Sequence, residues 1–224
     1  MKLRQEFKIF LNYFDYLIIR SRLKAVIPQD KNVNDAGEYK IRSLYFDNVD
    51  DKALWEKLCG VNFREKFRIR CYNDNYDFIN VEKKSKINGL CNKISERVTK
   101  DEVRKILDGD IGWMLNSNRP LISELYVKMK TQHLRPKTIV DYLREPYIYT
   151  AGNVRITLDR NIKTGVNSIN MLDPNVPMVK ANEQTILLEV KYDNFIPTMI
   201  SELIQIQNRQ TSAFSKYVSC RTYG

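Results

Sequence analysis

Charged side chains stand two residues apart in four strand-like segments of this chain. One segment reads FRIRC and contains Arg68 and Arg70; the others are RQEFK at 4–8, EKK at 82–84 and EVK at 189–191. Side chains of a β-strand alternate between the two faces of its sheet, so Arg68 and Arg70 share one face and their apolar neighbours share the other. A sheet built from these segments has one charged face and one apolar face.

The two faces of this sheet need different surroundings. A charged strand face is usually solvated, but like charges such as Arg68 and Arg70 repel each other unless an anion or carboxylates lie beside them. The opposite face offers helices an apolar surface through Phe67, Ile69, Ile79, Val81, Leu188 and Val190. Closing the sheet into a barrel meets both demands, because helices then cover the outside and the charges line the lumen.

Alternation and turn residues predict eight strands with helices between them. The predicted strands are 3–10, 39–47, 62–72, 76–85, 90–98, 138–148, 153–158 and 185–192. Helices are predicted from Asn12 to Pro28 and over 50–58, 99–107, 120–134 and 197–209, with a loop over 165–179 and a closing segment over 212–223. The predicted fold class is α+β: an eight-stranded antiparallel β-barrel with a charged lumen and helices packed outside.

The size and charge of the chain narrow the partners it suits. Its 224 residues fit one large domain, so we expect residues 1–224 to form one. The 37 Lys and Arg against 27 Asp and Glu leave a formal charge of +10, which favours an acidic partner. RNA-binding proteins expose aromatic residues that stack on bases, whereas the Tyr and Phe of this chain fall mostly at core positions. We therefore expect no nucleic-acid partner.

Histidine and cysteine chemistry has little support in this sequence. The one histidine, His133, lies in a basic, helix-like context that favours a surface or packing role. The four cysteines show no CxxC spacing and no neighbouring histidine, so a reducing, cytoplasmic location fits better than a zinc site or a disulfide framework. The chain begins without the apolar run of a signal peptide and offers no stretch of ~20 apolar residues, so any membrane association would come through a partner protein.

The charged residues suit a phosphate chain held together with a hard cation. Arginine donates two parallel hydrogen bonds to phosphate, and lysine supplies a compact, movable charge. Mg²⁺ or Mn²⁺ takes oxygen ligands, for which Glu6, Glu82 and Glu189 are candidates, Glu189 first among them.

The chain resembles the VTC domain family, the polyphosphate polymerase branch of the triphosphate tunnel metalloenzymes. The resemblance rests on short motifs in the same order along nearly the whole chain: EFK at 6, SLYFD at 43, RIR at 68, VEKK at 81, YLR at 142, VRITLD at 154, LEVK at 188 and FSKY at 214. It implies the triphosphate tunnel fold, an eight-stranded antiparallel barrel. It also implies an enzyme that adds the terminal phosphate of ATP to a growing inorganic polyphosphate chain, assisted by Mn²⁺ or Mg²⁺.

The resemblance also implies roles for individual residues. The catalytic residues, which grip the transferring phosphates, would be Arg68, Arg70, Lys84 and Lys191. The further phosphate ligands would be Lys8, Lys93, Arg144, Arg155, Ser215 and Lys216. Glu189 would hold the metal, and Glu6 and Glu82 would bind metal or orient the neighbouring cations.

One segment departs from the pattern of the wider superfamily. That superfamily often carries Glu-x-Glu-x-Lys on its first strand, whereas this chain has Arg4, Glu6 and Lys8. The exchange removes a metal ligand and adds a phosphate ligand, which fits the polymerase branch better than the thiamine triphosphatase or class IV cyclase branches. Two alternatives stay open: a tripolyphosphatase of the same fold, and a non-catalytic module that binds polyphosphate, inositol phosphates or RNA.

Overall fold

The computed structural model describes residues 3–181 and 185–222, so residue 223 of the predicted closing segment lies outside the described residues. In the described ranges the strands are β1 (Gln5–Leu11), β2 (Tyr39–Asp47), β3 (Phe63–Tyr72), β4 (Asn75–Ile87), β5 (Leu90–Val98), β6 (Arg135–Tyr149), β7 (Val154–Thr164), β8 (Val179–Lys180) and β9 (Ile186–Tyr192). The helices are α1 (Tyr13–Val26), α2 (Lys52–Leu58), α3 (Lys100–Leu107), α4 (Pro120–Thr131), α5 (Thr198–Ile204) and α6 (Lys216–Thr222).

The strands form one antiparallel sheet in the order β1-β9-β7-β6-β2-β3-β4-β5. These eight strands are the predicted ones, and the predicted meander is the β3-β4-β5 end of the sheet. The two-residue strand β8 is an addition, which pairs with β7 at the end of the segment predicted as a loop.

A single bridge joins the two edges of the sheet within the described residues. Arg4, next to β1, exchanges two backbone hydrogen bonds of 3.0 Å with Cys91 of β5. The sheet therefore curls into a barrel, and in the described part of the chain its first and last strands meet at one point rather than along a ladder.

The apolar outer face of the barrel lies beneath the helices, as predicted. Phe67, Ile69, Ile79 and Val81 are buried in one cluster with residues of α3 and α4. Leu188 and Val190 belong to a second cluster, which includes residues of α1 and α5. Asn12 and Thr99 each form a capping box at the start of α1 and α3, so backbone N–H groups at these helix starts have partners.

The barrel has a charged lumen, as predicted, but an apolar cluster that the sequence did not predict fills part of its interior. A third buried cluster joins Tyr45 of β2 and Tyr142 of β6 to Tyr217 and Cys220 of α6. The rings of Tyr45 and Tyr217 lie 5.1 Å apart. The short helix α6 thus fills one side of the interior, and the charged residues line the space that remains.

Several element boundaries differ from those that sequence patterns predict. Strand β6 begins before Pro136, which the sheet accommodates because the pairing with β2 shifts its register between Tyr45 and Phe46. Helix α4 ends at Thr131 and α5 at Ile204, both earlier than predicted, whereas β7 continues to Thr164. Within the described ranges, no helix combines the length and apolar character needed to cross a bilayer.

Candidate functional site

A cavity of about 1270 Å³ occupies the lumen of the barrel. Among the described residues, three glutamates line it, Glu6, Glu65 and Glu189, together with fourteen basic residues. The basic residues are Arg4, Lys8, Lys57, Arg64, Lys66, Arg68, Arg70, Lys84, Lys86, Lys93, Arg144, Arg155, Lys191 and Lys216. The cavity is therefore a strongly cationic chamber.

Strand alternation places the cations of β3 and β4 in this chamber. Arg68 faces Glu82 across the ladder, and Lys66 faces Lys84, which in turn faces Lys93 of β5. Like charges directly opposite each other destabilise a sheet. The row of three lysines is therefore a feature that folding alone does not favour.

Glu82 is the carboxylate around which the cations of β3 are arranged. It is 1% exposed, and its Oε2 lies 2.6 Å from Nη2 of Arg68 and 3.8 Å from Nη1 of Arg70. Its Oε1 accepts a hydrogen bond of 2.9 Å from Nζ of Lys93. Burial raises the pKa of Glu82, but Arg68, Arg70 and Lys93 outweigh this effect and hold the pKa well below its usual range. Glu82 is therefore a fixed anion that positions three cations.

Glu6 of β1 occupies a similar position among lysines. Its Oε2 lies 2.7 Å from Nζ of Lys84 and 3.6 Å from Nζ of Lys191, and its Oε1 lies 2.9 Å from Nζ of Lys8. Burial and the nearby Glu189 raise the pKa of Glu6, but the three lysines outweigh both and hold it well below its usual range. Because β1 and β4 are not neighbours in the sheet, the Lys84–Glu6 pair spans the lumen near the closure of the barrel.

Glu189 of β9 shares cations with Asp159 of β7. Its Oε1 lies 2.6 Å from Nζ of Lys191, and its Oε2 lies 3.8 Å from Arg144 and 3.9 Å from Lys216. Asp159 is fully buried and binds the same two cations, Arg144 and Lys216, at 2.6 Å. Burial raises the pKa of Glu189, but these cations, Lys191 first, hold it well below its usual range. Both carboxylates are ionised at neutral pH.

Hydroxyl groups orient the two arginines of β3. Arg70 donates from Nε to Oγ of Ser43 at 3.0 Å and from Nη2 to the hydroxyl of Tyr142 at 3.1 Å. Arg68 donates from Nη1 to the hydroxyl of Tyr45 at 2.9 Å. Arg68 also pairs with Glu82 at 2.6 Å, whereas Arg70 lies 3.8 Å from that carboxylate, so Arg70 keeps the greater part of its charge for an anion.

Arg155 and Ser215 lie in other parts of the same cavity. Arg155 donates from Nη2 to Asp30 and to the hydroxyl of Tyr39, both at 2.9 Å. Ser215, which precedes α6, accepts a hydrogen bond of 3.3 Å from Nζ of Lys66. These contacts place Arg155 and Ser215 in separate groups of the lining.

Lys66 and Tyr45 form a titratable pair that sequence reasoning missed. Nζ of Lys66 lies 5.4 Å from the ring centre of Tyr45. Burial lowers the pKa of Lys66 to about 7, with a further contribution from Lys84 and against the opposing effect of Tyr45. Burial raises the pKa of Tyr45, but Arg68, Lys66 and Arg70 more than offset it and bring the pKa to about 7. Both groups change protonation near neutral pH.

The carboxylates of the lumen offer a divalent cation a partial oxygen site. Glu6 and Glu189 both contact Lys191, and the charge of Glu189 raises the pKa of Glu6. Glu82 pairs with other cations, Arg68 and Lys93. Among the described residues no group of three or more His, Cys, Asp or Glu is placed to hold a metal. Mg²⁺ is commonly bound by one or two carboxylates together with substrate phosphates, and the pair Glu6 and Glu189 fits that ligand set.

The residues that the sequence singles out come together around this cavity. Twelve of the thirteen predicted site residues line the cavity. The thirteenth, Glu82, accepts a hydrogen bond of 2.7 Å from Nε of Arg68. Sequence reasoning missed Lys66, Lys86, Arg64 and Asp159, although each stands two or four residues from a predicted site residue on its strand. Alternation alone could have identified them. The same rule marks Tyr142, two residues from Arg144 on β6, whereas no comparable signal marks Lys57, which lies in helix α2.

The chain is similar in fold to solved structures. A Bacillus halodurans protein described as a proposed adenylate cyclase has a TM-score of 0.52 at 13% identity, with 85% of this chain and 80% of that chain covered. A Pyrococcus horikoshii protein has a TM-score of 0.45 at 12% identity, with 90% of this chain and 85% of that chain covered. No curated protein matches the chain. The likeness to the Bacillus protein shows the fold alone.

The family model for the VTC domain matches residues 3–223. That range contains every strand of the barrel and every predicted residue of the lumen. The barrel is the tunnel fold of the triphosphate tunnel superfamily, and the chain belongs to the VTC domain family.

Proposed function

We propose that this protein is a polyphosphate polymerase, which transfers the terminal phosphate of ATP to the end of an inorganic polyphosphate chain. The observation that carries the proposal is the enclosed cationic cavity, in which Arg68, Arg70 and Lys84 lie beside the carboxylates Glu82 and Glu6. A chamber of this kind suits a polyanion that must be desolvated and aligned.

In the proposed reaction, a terminal oxygen of the polyphosphate chain attacks the terminal phosphorus of ATP. One P–O bond forms as the bond from that phosphorus to the bridging oxygen breaks, and ADP leaves with the bond electrons. Phosphoryl transfer requires alignment and neutralisation of the charge that moves onto the leaving oxygen. Arg68 and Arg70 supply oriented donors for the transferring phosphate, and Lys84 and Lys191 supply mobile charge beside it.

The ionisation of the lumen carboxylates favours an anionic acceptor over water. Glu6, Glu82 and Glu189 all have pKa values well below the usual range, so they are weak bases. A polyphosphate end is already ionised and needs no base, whereas water does.

A divalent cation would be held by Glu6 and Glu189, together with phosphate oxygens of the substrate. When bound, Mn²⁺ or Mg²⁺ would neutralise charge on those oxygens. The protein's own part is to keep both carboxylates ionised, through Lys8, Lys84 and Lys191, and to hold them on adjacent strands.

Hydrolysis of triphosphates is the second candidate, and Lys66 is the observation that favours it. With a pKa of about 7, its amine is partly neutral at physiological pH and lies inside the lumen. A neutral amine can accept a proton from water, which the lumen carboxylates cannot do efficiently. In its protonated form, the same amine attracts phosphate.

The product formed from ATP separates these functions. Purified protein is incubated with ATP and Mn²⁺, and the products are resolved on a gel for phosphate chains and by anion-exchange chromatography. Long chains with stoichiometric ADP support the polymerase, and free phosphate without chains supports the hydrolase. Pyrophosphate with cyclic AMP would indicate a cyclase, the activity proposed for the Bacillus neighbour. Polyphosphate binding without any product would leave a binding module.

A further inference from the structure

Helix α1, on the outside of the barrel, is apolar on two opposite sides. Its inward side packs on the barrel through three buried residues, Tyr16, Ile19 and Leu23. Its outward side begins with Phe14, which is 75% exposed, and continues with Leu17 and Ile18, which are 40% and 48% exposed. A surface helix of a globular protein normally turns charged or polar residues to this side. Packing of α1 on the barrel therefore accounts for its inward side only.

The outward apolar residues of α1 form a continuous stripe. At roughly 100° per residue, positions 14, 17, 18, 21 and 25 share one side of the helix. Phe14, Leu17 and Ile18 occupy the first two turns, and the small residues Ser21 and Ala25 follow them, all exposed. Soluble proteins rarely leave a contiguous apolar patch uncovered unless it meets a partner. We call these five residues the α1 stripe.

Basic side chains stand on both flanks of the α1 stripe. Lys24 lies on one flank and Arg22 on the other, and both are exposed. Within the described residues neither contacts a carboxylate, and Arg22 donates only to the backbone oxygen of Gln205, at 3.0 Å. The one acid of α1, Asp15, accepts a hydrogen bond of 2.7 Å from Arg209. The surroundings of the stripe are therefore cationic.

A second copy of the chain would not complement this surface. Two α1 helices packed in parallel would bring the Arg22 and Lys24 side chains of both copies together. Packed antiparallel, these cations would meet the start of the other helix, where Asp15 is already bound to Arg209. The adjacent helix α5 contributes a single exposed acid, Glu202. The partner must therefore bring both apolar surface and negative charge of its own.

We propose that the α1 stripe binds the surface of a bilayer that contains anionic lipids, with Phe14, Leu17 and Ile18 at the boundary between headgroups and acyl chains. Helices that lie in this way combine bulky apolar residues on one side with lysine and arginine beside them. The helix stays in the plane of the interface and does not cross the bilayer. This direct contact differs from the sequence expectation that membrane association would come through a partner protein.

The flanking residues suit this position of the helix. Arg22 and Lys24 have long side chains, which can extend to the headgroups while the stripe is inserted. Anionic headgroups supply the carboxylate-like partners that the described part of the chain does not give them. Tyr13, at the start of α1, is 63% exposed and belongs to a residue type enriched at membrane interfaces. The surface lies outside the lumen, so the proposal holds whichever reaction the lumen performs.

The test is co-sedimentation of the purified protein with lipid vesicles. Vesicles of phosphatidylcholine alone are compared with vesicles that contain phosphatidylcholine and phosphatidylserine in equal amounts. We expect binding to the anionic vesicles, weakened by added salt, and much less binding to the neutral ones. In Phe14→Gln/Ile18→Gln the affinity for anionic vesicles should fall at least ~10-fold, because two apolar side chains no longer enter the interface.

The control for this variant is Leu115→Gln/Val127→Gln. It replaces two apolar residues that are 62% and 51% exposed elsewhere on the surface, and it should bind as the wild type does. Circular dichroism checks that both variants are folded, which their exposed positions favour. Because neither variant alters the net charge, a loss confined to the first one reports insertion of the stripe rather than general attraction to a basic protein.

A second pair of variants tests the basic flanks. Arg22→Gln/Lys24→Gln should also lose at least ~10-fold in affinity for anionic vesicles, because two cations near the lipid surface are removed. Lys105→Gln/Lys130→Gln removes the same charge from exposed positions on α3 and α4 and should stay close to the wild type. Equal losses in these two variants would overturn the placement of α1 at the bilayer.

Other outcomes would also overturn the proposal. These are no binding of the wild type to anionic vesicles, equal binding to both kinds of vesicle, wild-type affinity in Phe14→Gln/Ile18→Gln, and an equal loss in its control. Sedimentation velocity tests the rival occupant. A wild-type dimer that becomes monomeric in Phe14→Gln/Ile18→Gln, without vesicle binding, would assign the α1 stripe to a second copy of the chain.

Discussion

Arg70 and Lys84, two proposed phosphate ligands, are held in place by neighbouring side chains. Ser43 and Tyr142 hold the guanidinium of Arg70 without neutralising it, and Glu6 holds the ammonium of Lys84. Such groups need no reorganisation when charge develops in a transition state. Under the proposed function, we expect these groups to contribute to turnover rather than to the stability of the fold.

Replacing Arg70 or Lys84 with Ala should reduce turnover of ATP by at least ~10²-fold, the loss typical of removing one group that stabilises a transition state. Steady-state ADP release measures the effect, and circular dichroism checks the fold. Lys83→Ala is the matched control for Lys84, because Lys83 points to the outer face and pairs with Glu124 at 2.5 Å. Turnover at the wild-type rate in the Arg70 or Lys84 variant would contradict the site.

Lys66 should make phosphate binding depend on pH. Its pKa is about 7, so the ammonium that attracts phosphate loses its proton as pH rises through 7. We expect tripolyphosphate affinity to fall between pH 6 and 8.5, with part of that fall absent in Lys66→Met. Ionisation of the ligand itself affects both proteins alike. The control Lys105→Met, at an exposed position on α3, should keep the pH profile of the wild type. Identical pH profiles for wild type and Lys66→Met would contradict this assignment.

At the scale of elements, α6 links the filling of the lumen to the stability of the barrel. The hydroxyl of Tyr217 donates to Asp47 at the end of β2 at 2.5 Å, and the same carboxylate accepts from the backbone N–H groups of Ala53 and Leu54 in α2. One buried carboxylate thus connects β2, α2 and α6. Removing one donor leaves the other contacts in place.

Tyr217→Phe should lower the free energy of unfolding by ~1–2 kcal/mol, because the buried Asp47 loses a hydrogen bond while the aromatic packing remains. Urea denaturation measures this change. Tyr13→Phe is the control, since Tyr13 is 63% exposed and its replacement should have no measurable effect. Unchanged stability in Tyr217→Phe would mean that water or another donor replaces the phenol.

The elements that sequence predicted well are those whose two faces differ in character. Alternation around Arg68 and Glu82 identified β3 and β4, and the capping box at Thr99 identified the start of α3. Strand β2 is buried on both faces, so alternation could not show that Tyr45 points inward. Helix α6 has seven residues, too few for a periodic pattern to reveal that it fills the interior.

The sequence predicted which cations form the candidate site better than it predicted how the carboxylates are arranged among them. Motif order and alternation indicated which lysines and arginines meet, because side-chain direction on a strand follows from position. The division of the carboxylates into a Glu82 group and a Glu6–Glu189 group depends on which strands are neighbours across the barrel. Pairing of β1 with β9 determines this division, and no local pattern in the sequence reports it.

At the scale of the whole molecule, the cationic lumen predicts how the protein responds to loss of metal. Treatment with a chelator should abolish turnover, because phosphate oxygens then lose the cation that Glu6 and Glu189 would hold with them. Tripolyphosphate should still bind, since lysines and arginines supply most of the charge in the cavity. Restoring Mn²⁺ or Mg²⁺ should restore turnover, measured as ADP release. Full turnover in the chelated protein would contradict a metal-assisted reaction.

The closure of the barrel gives its wall one weak seam. Among the described residues, two backbone hydrogen bonds at Arg4 and Cys91 complete the ring, whereas ladders connect the other neighbouring strands of the eight. Separating that pair costs on the order of 1 kcal/mol per hydrogen bond, far less than unzipping a strand. The width of the cavity is therefore most easily altered at this junction, beside Glu6 and Lys84. Substitutions meant to admit a bulkier polyanion should be made there first.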